Sequence, residues 1–143
     1  MNIIVAFAKA QDAANLKSIL NRGGYEGIVT CTSGVQALSA MDDLGSGVIL
    51  CGYRLSDMLY SQLLEDLPAY FKMVLVASAA KAPEESKADN FIYLESPAQR
   101  ADLFSTIPLM MEGVSRERRK AKERRRLFPV EGDSGARTAK DPV

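Results

Sequence analysis

The chain has 143 residues, 47% of them hydrophobic, and a formal net charge of zero. This length suits one domain with a buried core plus an appendage, and is short for two domains. Histidine is absent, and the two cysteines, Cys31 and Cys51, lack a CxxC spacing, so a disulfide framework, a zinc site and a cofactor are not expected. No apolar run approaches the roughly 20 residues that span a bilayer, and the start lacks a secretory signal, so we expect a cytoplasmic protein with no membrane contact.

The first half of the chain alternates strand and helix patterns. Residues 2–7 contain the continuous apolar run Ile-Ile-Val-Ala, typical of a strand buried on both faces, and a helix follows that ends at Gly23. Residues 25–31 predict a second strand, after which Ser33 is expected to cap a helix. The side chains that this second helix is expected to bury are Val35, Leu38 and Met41.

The second half continues the alternation. Residues 48–51 predict a third strand, and a helix is expected between Asp57 and Pro68. Residues 72–77 and 91–94 predict the fourth and fifth strands, separated by a weak helix at residues 83–85. Pro97 is expected to open a long closing helix at its first position.

Five strands alternating with five helices predict a doubly wound α/β fold with a parallel sheet. At this length the pattern favours a flavodoxin-like sheet of order 2-1-3-4-5 with an extended C-terminal helix. In such sheets ligands bind at the carboxyl ends of the strands, here strands 1 and 3.

Short segments at the strand ends carry a resemblance to a known family. Residues 32–38, 53–58 and 95–97, together with the first strand and helix, resemble the CheY-like receiver domain of response regulators in bacterial two-component systems, over residues 2–114. A narrower similarity links the chain to the degenerate receivers of Firmicutes ANTAR-type antiterminator regulators. The segments that carry it are residues 4–9, 29–34, 49–53 and 75–78.

The resemblance implies a vacated phosphorylation site. An active receiver uses an aspartate nucleophile after strand 3, an acidic pair after strand 1 that helps to hold Mg²⁺, a hydroxyl after strand 4 and a lysine after strand 5. The nucleophile's position is Gly52, the acidic pair is Phe7 and Ala8, and the lysine is Ser96, whereas Ser78 supplies the hydroxyl. We therefore expect a pseudo-receiver that is not an enzyme.

Four other residues are candidates for a role near this site. Asp57 is expected to cap the helix that follows it, and Asp12 to face solvent from the first helix. Tyr93 matches the family's switch aromatic and is expected to be a fixed core or interface residue. Cys51 is a conceivable redox sensor, but both cysteines are interpreted as small buried hydrophobes.

The closing helix is predicted over residues 98–127, about 45 Å at 1.5 Å per residue, so its end must project from a small domain. Its apolar residues are spaced as in a coiled-coil seam. They are Leu103, Ile107, Met110 and Val114. Two interpretations remain open: the stripe packs on the sheet, or part of it forms a homodimer interface. Pro108 is a candidate kink.

The end of this helix is strongly basic. Residues 115–127 hold eight basic residues and two acids, whereas residues 1–114 hold eight basic residues and thirteen acids. The eight basic residues are Arg116, Arg118, Arg119, Lys120, Lys122, Arg124, Arg125 and Arg126. Two interpretations remain open: these residues bind phosphates through charge, or they form a solvated helix end. Residues 128–143 are rich in Gly, Pro, Ser and charge and are expected to be disordered.

The leading hypothesis is a signalling module for transcription antitermination that acts without phosphorylation, by dimerising and docking a regulatory protein. The chain departs from the ANTAR resemblance because its last residues cannot form that RNA-binding output module, which implies a shortened form or a stand-alone receiver. The alternative is nucleic-acid binding, RNA included, through the basic helix. A third hypothesis, a phosphoacceptor with relocated chemistry, is disfavoured.

Overall fold

The computed structural model describes residues 2–83, 87–97 and 100–127, in which strands and helices alternate. The strands are β1 (Asn2–Ala6), β2 (Val29–Cys31), β3 (Gly47–Cys51), β4 (Phe71–Ala77), β5 (Lys87–Ala88) and β6 (Phe91–Glu95). The α-helices in these ranges are α1 (Ala10–Arg22), α2 (Gly34–Leu44), α3 (Tyr60–Glu65) and α4 (Arg100–Leu127), with a 3₁₀ turn at Ala79–Lys81. Of the helices described, none is both long and apolar enough to cross a bilayer.

The strands form one sheet of order β2-β1-β3-β4-β6-β5. The first five strands of that order are parallel, which confirms the predicted 2-1-3-4-5 arrangement. The two-residue β5 pairs antiparallel with β6 at the edge, and the sequence pattern did not predict it. Ala6 of β1 lies opposite both Cys31 and Cys51, so β1, β2 and β3 end at the same level.

The sheet is covered by helices on both faces. β3 and β4 are buried along their whole length, as expected of central parallel strands. The cluster on the α2 and α3 face includes Ile4, Ile49, Met73, Met41 and Leu63. The cluster on the α1 and α4 face includes Ile3, Val48, Val74, Leu16, Leu20, Leu103 and Ile107. Alternate strand residues therefore supply two separate apolar layers.

Two elements of the first half differ from expectation. β2 begins at Val29 instead of residue 25, because Gly27 has φ 68°, a left-handed conformation that interrupts the strand. The predicted burial of Val35 is wrong, since its side chain is 65% exposed. α2 buries Gly34, Ala37 and Met41, and Val35 lies one residue, about 100°, off this face.

The second half shows three further differences. α3 ends at Glu65, short of the predicted Pro68. The predicted weak helix falls partly on residues 84–86, outside the described residues, and a 3₁₀ turn and β5 flank it. Pro97 lies in a bend after a cis Ser96–Pro97 bond and is therefore not the first helical residue, and α4 is described from Arg100 onward. Residues 128–143, predicted to be disordered, lie outside the described residues.

The apolar seam of α4 packs inside its own chain. α4 has 28 residues and continues through Pro108. The exposed fractions along the seam are Leu103 0%, Ile107 0%, Met110 6% and Val114 0%. These side chains are buried as expected if the stripe packs on the sheet. While α4 is docked they are unavailable to a second chain, so the predicted interface cannot form through them in this arrangement.

A buried lysine holds the second half of α4 against the sheet. Lys72 on β4 is 4% exposed, and its Nζ lies 2.9 Å from Oε2 of Glu117 on α4. The same ammonium donates a hydrogen bond to the carbonyl of Asp89. Breaking such a pair is costly because it leaves a charge buried without its partner. The contact therefore fixes the position of α4 at the start of its basic segment, residues 115–127, which is termed the basic arm.

We predict that Glu117→Gln lowers the free energy of unfolding by about 1–2 kcal/mol, below the roughly 3–5 kcal/mol of a fully buried pair because the carboxylate is partly solvated. Urea titration measures the change. Lys72→Met in the Glu117→Gln background should restore stability, because methionine fills a similar volume without a charge. The control is Glu123→Gln, which removes an exposed pair with Arg126. Equal losses from Glu117→Gln and Glu123→Gln would contradict the anchoring role.

Candidate functional site

The carboxyl ends of β1 and β3 bring Phe7 and Gly52 together. The Gly52 N–H donates to the carbonyl of Ala6 at 3.0 Å, and the Phe7 N–H donates to the carbonyl of Cys31 at 3.2 Å. These hydrogen bonds continue the pairing of β1 with β2 and with β3 by one residue beyond the ends of the strands. Phe7 and Gly52 consequently lie side by side where the fold places ligand sites.

The ring of Phe7 occupies the space beside Gly52. A Cβ added at Gly52 would lie 2.7 Å from Cδ2 and 3.1 Å from Cε2 of Phe7. Gly52 is buried and Phe7 is half-buried, with its ring packed against the α1 and α4 layer. An apolar ring thus fills the region into which a side chain at position 52 would project.

The other predicted site residues surround this edge of the sheet. Ala8, Ser78 and Ser96 are exposed, and the Ser96 N–H donates to the carbonyl of Ala77 at 2.8 Å. Ser78 directly follows β4, and Ser96 directly follows β6. The three residues therefore lie at the carboxyl edge, and the hydroxyl of Ser78 is accessible to solvent.

Tyr93 is held by two backbone acceptors. Its single hydroxyl proton is shared between the carbonyl oxygens of Ala77 and Ser78, which lie 3.0 and 3.1 Å from the hydroxyl oxygen. The side chain is half-buried against the α2 and α3 layer. Partial burial, and secondarily the charge of Glu95, raise the pKa of this phenol. Tyr93 is therefore fixed to the end of β4.

Asp57 caps a different helix from the one expected. Its carboxylate accepts hydrogen bonds from the N–H groups of Gly34 at 2.7 Å and Val35 at 3.2 Å, at the start of α2. The bond from Gly34 is the main cause of a pKa below the usual range for this carboxyl. The prediction that Asp57 caps the following helix is wrong, because the loop after β3 folds back onto α2. Asp12 is exposed on α1, as predicted.

Both cysteines are buried, as expected of small apolar residues. Burial raises the pKa of the Cys51 thiol from 9.0 to about 12, and it also raises that of Cys31. The Cys51 Sγ donates to the carbonyl of Gly52 at 3.2 Å. A neutral, covered thiol is a poor nucleophile, so the geometry speaks against the redox-sensor interpretation of Cys51.

The eight basic residues of the arm are all exposed, and four of them border one groove. This feature, termed the amino-end groove, has a volume of about 720 Å³ and is open to solvent. It is lined by Asn2, Leu44, Gly45, Ser46, Tyr70, Ser115, Arg118, Arg119, Lys122 and Arg125. The starts of β1, β3 and β4 lie beside it, so it is at the opposite end of the sheet from Gly52.

Sequence reasoning found the cations of this groove but missed its other wall. Asn2, Ser46 and Tyr70 are far from the basic arm along the chain, and none carries a motif. What these three residues share is their position in the fold, since each lies within one residue of the start of a parallel strand. Parallel strands begin at a common edge, which brings these residues together.

No protein-family model matches the chain, and no curated protein matches it by sequence. A CheY-like response regulator receiver domain from Methylobacillus flagellatus matches in structure with a TM-score of 0.67, 22% identity, and coverage of 77% of this chain and 98% of that chain. A second CheY-like receiver domain, from Methanospirillum hungatei JF-1, gives 0.65, 20%, 80% and 97% for the same quantities. The fold is that of a CheY-like receiver domain.

The response regulator StyR shares this receiver fold with a TM-score of 0.73 and 20% identity. The match covers 88% of this chain and 66% of that chain. At such identities the likeness concerns the fold alone. What the carboxyl edge does chemically therefore depends on the residues that this chain places there.

The Mg²⁺ that the receiver resemblance implies does not fit these residues. Mg²⁺ takes a near-octahedral set of oxygen ligands, commonly including carboxylates. Phe7 and Ala8 supply no side-chain oxygen, and Gly52 has no side chain. Within residues 2–83, 87–97 and 100–127, no three metal-ligating Cys, Asp or Glu side chains lie together. No metal-dependent step is assigned to this edge.

We predict a strong coupling between positions 7 and 52. Gly52→Ala should lower the free energy of unfolding by about 1–3 kcal/mol, because the new methyl group overlaps the Phe7 ring. In a Phe7→Ala background the same change should cost at least about 1 kcal/mol less. A double-mutant cycle by urea denaturation measures this difference. Additive effects at the two positions would contradict the packing of Phe7 over Gly52.

We predict that native Cys31 and Cys51 resist Ellman's reagent at pH 8, whereas both react at once in urea. The raised pKa of Cys51 also means that its contribution to stability is complete below about pH 9 and is lost as the pH rises towards 12. Absorbance at saturation counts the reacting thiols. Rapid labelling of one native thiol, absent in Cys51→Ser, would revive the redox-sensor interpretation.

Proposed function

We propose that this chain is a phosphorylation-independent receiver-like module that works in signal transduction through protein–protein association. The observation that supports it most is the Phe7 ring beside Gly52, at the position that the resemblance assigns to the nucleophile. Glycine offers no atom for phosphoryl transfer, and the ring fills the space where a carboxylate would stand. Its regulatory role would rest on surfaces, not on catalysis.

The remaining groups of the site support the same proposal. The transition state of phosphoryl transfer needs cations and hydrogen-bond donors around the phosphoryl oxygens. The position of the family lysine is Ser96, and the positions of the acidic pair are Phe7 and Ala8. Ser78 alone retains its chemical type. One substitution would weaken the chemistry, whereas these four changes remove the nucleophile, the metal ligands and the cation.

The position of Tyr93 supports a module without a phosphorylation switch. In active receivers this aromatic residue changes position on phosphorylation, as the family resemblance implies. Here its hydroxyl is engaged by the carbonyls of Ala77 and Ser78. A tyrosine held by these carbonyls would present one surface on the β6 side to a partner protein.

We propose that the module works in transcription antitermination, because residues 4–9, 29–34, 49–53 and 75–78 resemble ANTAR-type regulators. Homodimerisation through the closing helix remains a prediction. With the seam buried, a dimer of the docked form would have to use the outward face of α4, where Leu109 is 65% exposed. Light scattering coupled to size exclusion measures the mass in solution.

We expect no phosphorylation when the purified chain is incubated with acetyl phosphate and Mg²⁺. Intact-mass spectrometry detects a phosphoryl group as a gain of about 80 Da. An active receiver treated in parallel is the positive control. A gain in the wild-type chain that hydroxylamine removes would identify an acyl phosphate and contradict the proposal.

We also expect phosphorylation to return when the missing groups are restored together. The variant is Phe7→Asp, Ala8→Asp, Gly52→Asp and Ser96→Lys, and Phe7→Asp also removes the ring that blocks position 52. Circular dichroism establishes that it folds. The matched control is the same variant with Gly52 retained, which should gain no mass because it lacks the nucleophile.

A further inference from the structure

We propose that the amino-end groove binds single-stranded nucleic acid along its phosphate backbone. The proposal concerns a site at the opposite end of the sheet from Phe7 and Gly52. It is independent of whether the carboxyl edge accepts a phosphoryl group. It also differs from binding by the whole basic arm, because it assigns the contact to one face of α4 and to the loop facing it.

The charge of the groove is of one sign. Its cations are Arg118, Arg119, Lys122 and Arg125, and the described residues that line it include no Asp or Glu. With Ser115, these residues recur at three- and four-residue steps, which places them on one face of a helix. A chain of zero net charge therefore concentrates four positive charges in one concavity. Such a surface attracts a polyanion.

The cationic face is held in place. Nη1 of Arg118 donates to Oγ of Ser46 at 3.2 Å, and Nδ2 of Asn2 donates to the Ser46 carbonyl at 3.0 Å. One residue before Arg118, Glu117 pairs with buried Lys72. The helix, the loop and the start of β1 are thus connected across the groove. A preorganised site loses less conformational entropy on binding than a free arm does.

The dimensions suit a short stretch of nucleic acid. α4 advances about 15 Å between Ser115 and Arg125 at 1.5 Å per residue. Each phosphate of a stacked strand advances about 3.4 Å along the helix axis, so this face spans about four nucleotides of a stacked strand and fewer of an extended one. The volume of about 720 Å³ exceeds what one phosphate ion requires. Several phosphates at once would account for the row of cations.

Tyr70 favours a single strand over an acidic polypeptide. The basic arm itself carries no aromatic residue, but the fold places Tyr70, half-buried before β4, in the wall opposite α4. Proteins bind single strands by combining a positive groove with aromatic rings on which bases stack. An acidic polypeptide would use the cations without needing the ring. Bases in a duplex are already stacked and would not reach it.

The test is fluorescence anisotropy with a fluorescein-labelled oligouridylate of 15 nucleotides at 50 and 200 mM NaCl. With three or four phosphate contacts, the Kd should rise about 20- to 50-fold between these salt concentrations. Tyr70→Ala should weaken binding about tenfold through lost stacking, whereas Tyr70→Phe should leave it unchanged. Circular dichroism establishes that each variant is folded. Undetectable binding at 50 mM NaCl overturns the proposal.

The decisive comparison uses two variants of equal charge. The groove variant is Arg119→Gln, Lys122→Gln and Arg125→Gln, and it should raise the Kd at least tenfold. The control is Arg116→Gln, Lys120→Gln and Arg124→Gln, on a face of α4 that does not line the groove, and it should change the Kd less than threefold. Equal weakening by both variants would assign binding to the bulk charge of the arm and overturn the groove.

Competition identifies the class of ligand. Unlabelled oligouridylate should displace the probe, and polyglutamate of equal charge should displace it at least tenfold less well. Equal displacement by polyglutamate would overturn the assignment to nucleic acid. Tighter binding of a 15-base-pair duplex than of the single strand would overturn the assignment to single strands.

Discussion

The central strands of this fold must be covered on both faces, and the docking of α4 completes one of the two covers. β3 and β4 are buried along their whole length, and Lys72 is the one charged residue in these two strands, so both faces must be kept from water. Leu103 and Ile107 of α4 are fully buried on the face that α1 also covers. Because the seam is buried in the core, contacts of α4 with other molecules must use its other faces.

The same docking determines where the basic residues point. A helix whose apolar stripe is pinned to the sheet cannot rotate, so each further residue has a set direction. The Lys72–Glu117 pair adds a polar constraint near the end of the stripe. Beyond it, Arg118, Lys122 and Arg125 face the loop before β3. The orientation of the arm is therefore a consequence of core packing.

The two ends of the sheet differ in chemistry. At the carboxyl end, Phe7 fills the space beside Gly52, and Tyr93 and Asp57 bond to the backbone. These contacts stabilise the loops in one arrangement, and the polar groups of Tyr93 and Asp57 are already engaged in hydrogen bonds. At the amino end, the amino-end groove is open and carries its cations toward solvent. The four cations that line this groove thus lie at the opposite end of the sheet from the carboxyl edge, where ligands bind in doubly wound sheets in general.

The sequence by itself indicated the order of the five parallel strands and the residue types at their ends. Strands and helices can be recognised from apolar runs and glycines, which are patterns of residues close together in the chain. It also showed that position 52 is glycine and that the closing helix carries a basic arm. Only the tertiary structure decided that Asp57 caps α2, that the α4 seam is buried in its own chain, and that Tyr70 lines the same groove as the arm. Each of these contacts joins residues distant in sequence, and their direction depends on how helices and loops pack around the sheet, which no local pattern records.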